Sequence, residues 1–158
     1  MKNVEYQGIK VPKLGLGTWQ NKGDDCIRAV SEGLDMGYRH IDTAQAYDNE
    51  KEVGDGLKKS NVPRDQVFLT TKIWRDKVSA KDLRPSLEES LTKLQTDYVD
   101  LVLLHWPVSS VSLQEQLKAL EEVQKDGLTR LIGISNYPVN WMKKAIEDIG
   151  VKLATNQV

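Results

Sequence analysis

The chain has 158 residues, 22 basic and 23 acidic side chains, a formal net charge of −1, one cysteine and 39% hydrophobic residues. Length and apolar content suit one packed domain rather than disorder, and the balanced charge gives no reason to expect nucleic acid or anionic lipid. Cys26 alone excludes an internal disulfide and a thiolate zinc site; with no long apolar run and a polar, mixed start, the expectation is a cytoplasmic protein with no membrane partner.

In chain order, Tyr6-Gln7-Gly8-Ile9 between Val4 and Val11 predicts a small hairpin. Strands are predicted at residues 14–17, 38–41, 67–71, 98–104 and 128–134, with another beginning near Leu153. Several are apolar without clean alternation, as strands buried on both faces of a parallel sheet are. Helical faces are read from Ile27, Val30 and Leu34, then Leu83, Leu87, Leu91 and Leu94. Leu113, Leu117, Leu120 and Val123 make a further face, and Val139, Met142, Ile146 and Ile149 the last. Ser112 and Glu115 have capping-box spacing, Gly127 and Gly150 are helix stops, and Pro85 places a helix start near Arg84.

Alternating strands and helices define an α/β fold, either an open doubly wound sheet or a (β/α)8 barrel. Gly15-Leu16-Gly17 is followed by Gln20 where a dinucleotide fingerprint needs its third glycine, and no Walker lysine motif occurs. The barrel is therefore favoured. A closed barrel takes eight units and ~250 residues. Five units and the start of a sixth strand make residues 1–158 a single partial barrel domain, truncated at its C-terminal end. Its first and sixth strands are expected to be open edges.

Chemistry is concentrated where the apolar strands end: Ile41-Asp42-Thr43-Ala44, Thr71-Lys72, Leu104-His105-Trp106 and Ile134-Ser135-Asn136. In a barrel these ends share the C-terminal mouth. Asp42, Lys72 and His105 would converge there, with Tyr47 folding back on the loop after Asp42. A tyrosine hydroxyl, ordinarily near ~10, parts with its proton reluctantly at neutral pH, and a lysine ammonium beside it favours the tyrosinate. An aspartate would hold that lysine charged, and a histidine would orient a carbonyl or relay a proton. No nucleophile and no cluster of metal ligands is evident. Taken singly, Asp42 and Lys72 read equally well as a structural ion pair, whereas Tyr47 reads better as a packed aromatic and His105 as a core histidine. Four suitable groups at one mouth favour a site. His40, on the Asp42 face of its strand, is read as structural, and Cys26 and Trp141 as packing. Trp19, Trp74 and Trp106 follow strand ends and are candidates to line a pocket.

These residues carry a resemblance. Gly37-Tyr38-Arg39-His40-Ile41-Asp42-Thr43-Ala44, then Tyr47, Asn49-Glu50 and Val53-Gly54, resemble the aldo-keto reductase signature. Thr71-Lys72-Ile73-Trp74 and Leu104-His105-Trp106-Pro107 resemble that family's lysine and histidine segments, and residues 130–137 its second signature. Residues 41–50, 96–101 and 154–157 are most similar to its bacterial 2,5-diketo-D-gluconate reductases of the B type. The resemblance implies Tyr47 as proton donor, Lys72 and Asp42 as its tuning pair, and His105 as orienter of a substrate carbonyl. It implies NADPH as hydride source, its nicotinamide held by Ser135, Asn136 and Gln157, with Gly17, Thr18 and Asp42 near the ribose. Trp19, Trp74 and Trp106 would shape a pocket for 2,5-diketo-D-gluconate, methylglyoxal and similar small carbonyls. The brief loop at residues 107–111 implies an open pocket. The basic segment that grips the cofactor's 2′-phosphate has no counterpart here. A monomer is expected at full length and self-association for a fragment. The alternatives are a catalytically silent, self-associating half-barrel and a cofactor-sensing regulatory member of the fold. Retention of Asp42, Tyr47, Lys72 and His105 favours the enzyme.

Overall fold

The structure is a computed structural model, and it describes residues 2–158. Strands β1 (Asn3–Tyr6) and β2 (Ile9–Pro12) form the expected antiparallel hairpin, with Val4 opposite Val11. Its two turn residues, Gln7 and Gly8, have φ of 51° and 76°, the positive values through which a two-residue hairpin turn matches the right-handed twist of its strands. Tyr6, Ile9 and Val11 pack on Phe68, Leu101, Leu103 and Leu131, so the hairpin covers apolar side chains inside the curl of the main sheet.

That sheet has six parallel strands in chain order: β3 (Leu16–Gly17), β4 (His40–Asp42), β5 (Phe68–Ile73), β6 (Val99–Leu104), β7 (Thr129–Ser135) and β8 (Asn156–Gln157). Every residue of β5 and β6 is buried, which explains their unalternating apolar runs. Helices α1 (Gly23–Asp35), α2 (Glu50–Lys59), α3 (Leu83–Leu94), α4 (Leu113–Lys125) and α5 (Val139–Lys143) follow successive strands. Their faces form the larger core, including Val30, Leu34, Leu87, Leu117 and Leu120. The result is the partial (β/α)8 barrel expected. Ser112 Oγ accepts from Glu115 N at 3.2 Å at the start of α4, as its capping spacing predicts. Cys26 has no exposed surface, and burial pushes its thiol up to about 11, so it packs rather than reacts. Among the described residues, no helix is long and apolar enough to cross a membrane.

Several expectations are corrected. The first strand begins at Leu16, Asp42 lies within β4 rather than after it, and the last strand is Asn156–Gln157 rather than near Leu153. The edge strands β3 and β8 are two residues each, a poor template for edge pairing. The final helix changes to a π-helical turn at Lys144–Asp148. Its wider winding shifts the phase. Ile146 is left 49% exposed, while Ala145 is buried. Helix α2 carries only a thin apolar stripe, Val53 and Leu57, because glycine forms much of its packing face. A Cβ on Gly54 would lie 2.5 Å from the Lys93 carbonyl oxygen, and one on Gly56 would lie 2.7 Å from Val30 Cβ. Gly54→Ala should therefore cost about 1–3 kcal/mol by overpacking against backbone. A urea midpoint equal to wild type would contradict this.

Away from the mouth, Asp100 on β6 is buried and its carboxylate accepts from Leu69 N, Arg64 Nη2 and Arg130 Nη1, each at 2.9 Å. Arg64 also donates to the carbonyls of Val67 and Tyr98, tying the starts of β5 and β6 together. Every partner is within the fold, so this charge cluster is a structural clamp.

Candidate active site

Parallel register brings the polar strand ends together. Asp42 pairs with Thr70, Lys72 with Leu103, Leu104 with Ile134, and Ser135 with Gln157. Tyr47 ends a 3-10 turn, Gln45–Tyr47. Gln45 pins that turn: its Nε2 donates to Ser86 Oγ at 2.7 Å and Ser90 Oγ at 3.0 Å, and its Oε1 accepts from Trp74 N at 2.8 Å. Buried Asn49 pins the other side. It donates to the carbonyls of Thr18 (2.7 Å) and Asn21 (2.9 Å) and accepts from Thr43 Oγ1 at 2.8 Å.

Lys72 is 1% exposed and has three partners. Its Nζ donates to Asp42 Oδ1 at 2.5 Å, to the Thr43 carbonyl at 3.0 Å and to Tyr47 Oη at 3.1 Å. A buried ammonium is tolerable only with such complete pairing. The second Asp42 oxygen accepts from Gln157 Nε2 at 3.0 Å. The His105 ring meets Tyr47 edge-on at 5.7 Å and Trp74 at 5.4 Å. Burial, reinforced by the Lys72 charge, pushes the His105 imidazole down to about 4. Its Nδ1 is buried without a partner among the described residues. Buried donors go unpaired more rarely than acceptors, which favours the tautomer with the ring hydrogen on Nε2.

Acid should expose this burial. His40 is also lowered, chiefly by burial, and is held by Thr70 Oγ1 and the Pro12 carbonyl. Both histidines bind protons more readily unfolded than folded, so their contribution to stability is lost as pH falls from about 6.5 toward 4. Buried Glu50, raised mainly by desolvation, acts in the opposite sense as pH rises above the ordinary carboxylate range. A His105→Gln variant should therefore lose less stability than wild type between pH 7 and pH 5 in urea unfolding. Equal losses would contradict the assignment.

A cleft of about 510 Å³ opens beside these groups, and its walls include Gly17, Asp42, Tyr47, His105, Asn136 and Gln157. Ser135 also lines it, and donates to the Gln157 carbonyl at 2.8 Å. Asn136, at φ 61°, donates through Nδ2 to the His105 carbonyl and to Ser135 Oγ, each at 3.0 Å. The sequence-derived candidates Asp42, Tyr47, Lys72, His105, Ser135, Asn136, Gln157 and Gly17 thus gather in one place. Thr18 does not join the cleft wall: it is 1% exposed, and its hydroxyl is bonded to the Asp42 carbonyl at 3.1 Å. Trp74 reaches the site through His105. Trp19 and Trp106 are 69% and 45% exposed and stand outside the cleft wall. Gln45 and Asn49 were not singled out from sequence as supports. Their signal is only in hindsight, as polar residues flanking Tyr47.

Residues 13–158 match the profile of the Aldo/keto reductase family. The chain belongs to that family. It is 51% identical over 153 residues to methylglyoxal reductase DkgB of Salmonella typhimurium, a match covering 95% of this chain and 57% of that protein. The chain thus spans little more than half the length of this curated relative. A crystal structure provisionally assigned as a 2,5-diketo-D-gluconic acid reductase B superposes with a TM-score of 0.95 at 46% identity, covering 100% of this chain and 56% of the other. The Bombyx mori aldo-keto reductase solved with NADP gives a TM-score of 0.87 at 33% identity, covering 94% and 54%. Aldo-keto reductase architecture accounts for the six-stranded curl, its hairpin and the order of the strand ends.

Proposed function

We propose that this aldo-keto reductase chain carries the proton-donating half of an NADPH-dependent carbonyl reductase acting on methylglyoxal, 2,5-diketo-D-gluconate and similar small aldehydes and ketones. One observation carries the reading: Lys72 Nζ bridges Asp42 Oδ1 and Tyr47 Oη, while the His105 ring packs edge-on against the same tyrosine. The names of the relatives, methylglyoxal reductase among them, support the substrate range.

The polar groups of the cleft fit a nicotinamide. Gln157 Nε2 gives one hydrogen to Asp42, leaving its second hydrogen and its Oε1 for a ligand. Those are the complements of a primary carboxamide. Ser135 and Asn136 hold the Gln157 backbone in place from the neighbouring strand, Asn136 N donating to its carbonyl at 2.8 Å. A reduced nicotinamide dinucleotide supplies a hydride when bound. The protein must then protonate the carbonyl oxygen. His105 Nε2–H would orient that oxygen, and Tyr47 Oη would give it the proton. Lys72 would stabilise the tyrosinate left behind, and Asp42 would keep the ammonium charged and in register. Exposed Trp19 and Trp106 would offer apolar surface at the rim to the rest of the substrate.

Fluorescence titration with NADPH, followed by absorbance-monitored oxidation with methylglyoxal, tests the proposal. Saturable binding and turnover are expected. No binding at millimolar NADPH would contradict activity of this chain.

A further inference from the structure

The Gln157 side chain does more than face the cleft. Its bond to Asp42 Oδ2 joins residues separated by 115 positions, from the last strand of the sheet to the second. Asp42 then holds Lys72 through its other oxygen, and Lys72 donates to Tyr47. On the far side, Ser135 Oγ and Asn136 N both donate to the Gln157 carbonyl, and Asn136 Nδ2 donates to the His105 carbonyl. His105 returns to Tyr47 by the edge-on ring contact. The mouth is therefore encircled by one continuous series of contacts, and among the described residues the Gln157 amide is what bridges β8 to β4 within it.

We propose that Gln157 is a positioning residue, which clamps Asp42 from its free oxygen and so fixes Lys72 against Tyr47 across the open side of the sheet. The role rests on reading Tyr47 as proton donor and adds to it, because the Gln157 amide reaches Lys72 and Tyr47 only through its bond to Asp42. A carboxylate with one oxygen free can rotate and let its ammonium partner shift. With both oxygens held, the Lys72 donor is aimed at Tyr47 before any ligand arrives. The same amide edge would meet a bound carboxamide, so what occupies that edge would be felt at the proton donor.

Tyrosine labelled with carbon-13 at Cζ reports this directly in the 158-residue chain, the Tyr47 resonance being assigned by its disappearance in Tyr47→Phe. Gln157→Leu removes the donor, and Gln157→Glu keeps the shape but sets an oxygen against Asp42. Both should move the Tyr47 resonance in the absence of cofactor, whereas exposed Lys152→Ala should leave it in place. With NADPH and methylglyoxal, both Gln157 variants should lose roughly tenfold in kcat as well as weakening cofactor KM. A residue that only grips cofactor would raise KM with kcat unchanged. A stationary Tyr47 resonance, or an equal movement in Lys152→Ala, would overturn the positioning role. Movement of the resonance in a chain that does not reduce methylglyoxal would uphold the clamp and refute the proposed activity.

Discussion

Tyr47→Phe should abolish turnover while leaving NADPH affinity nearly unchanged. A positioned general acid contributes about a hundred- to ten-thousand-fold, so kcat should fall by that order. The substitution removes one oxygen and keeps the ring, preserving the edge-on contact with His105 at 5.7 Å and the placement of Lys72 4.8 Å from the ring centre. Cofactor would meet Ser135, Asn136 and Gln157 instead, none of which bonds to the Tyr47 hydroxyl. Steady-state kinetics and fluorescence titration of the same preparation separate the two effects. A variant rate within about threefold of wild type would remove Tyr47 from the chemistry, since an essential proton donor cannot be that cheap to lose.

Lys72→Met should be costly twice over. Its side chain is 1% exposed and its Asp42 partner 16%, so the variant leaves a largely buried carboxylate facing an apolar chain. Breaking such a pair from one side costs about 3–5 kcal/mol, which for a domain of this size lowers Tm by roughly 10 °C. Reductase activity should vanish with the ammonium. The double variant Asp42→Leu/Lys72→Met tells structure from function. It removes the stranded charge and should recover a large part of the stability, because apolar replacement of a buried pair is often neutral. It should recover no activity. Equal stability of the single and double variants would show that the Asp42 charge is not stranded by loss of Lys72.

The mouth was legible in the sequence because a parallel sheet leaves its apolar runs at polar residues, and Asp42, Lys72, His105 and Ser135 are those residues. The hairpin was legible for a similar reason, since Gln7-Gly8 between apolar flanks leaves a tight turn as the simplest path. Helix α2 was not, because Gly54 and Gly56 pack by their lack of a side chain and leave only Val53 and Leu57 to mark its face. The phase of the last helix was misread at Ile146, since a π-helical turn breaks the period on which the reading depends. The exposure of Trp19 and Trp106 depends on where their loops settle, which strand order leaves open. The Thr18 hydroxyl is bonded to the Asp42 carbonyl, a contact set by the path of its loop that no local sequence pattern carries. For Gln157 the sequence implies a cofactor contact alone. Its bond to Asp42 depends on the curl of the whole sheet, and no local pattern carries that information.

In the proposed reaction a carbonyl receives a hydride from a nicotinamide cofactor and a proton from this protein. Reduction of methylglyoxal with NADPH deuterated at the transferring position, in ordinary water, tests it most directly. Product with one deuterium on the former carbonyl carbon is expected, formed by the wild-type chain and not by Tyr47→Phe. Product free of deuterium, or formed equally well by Tyr47→Phe, would contradict it.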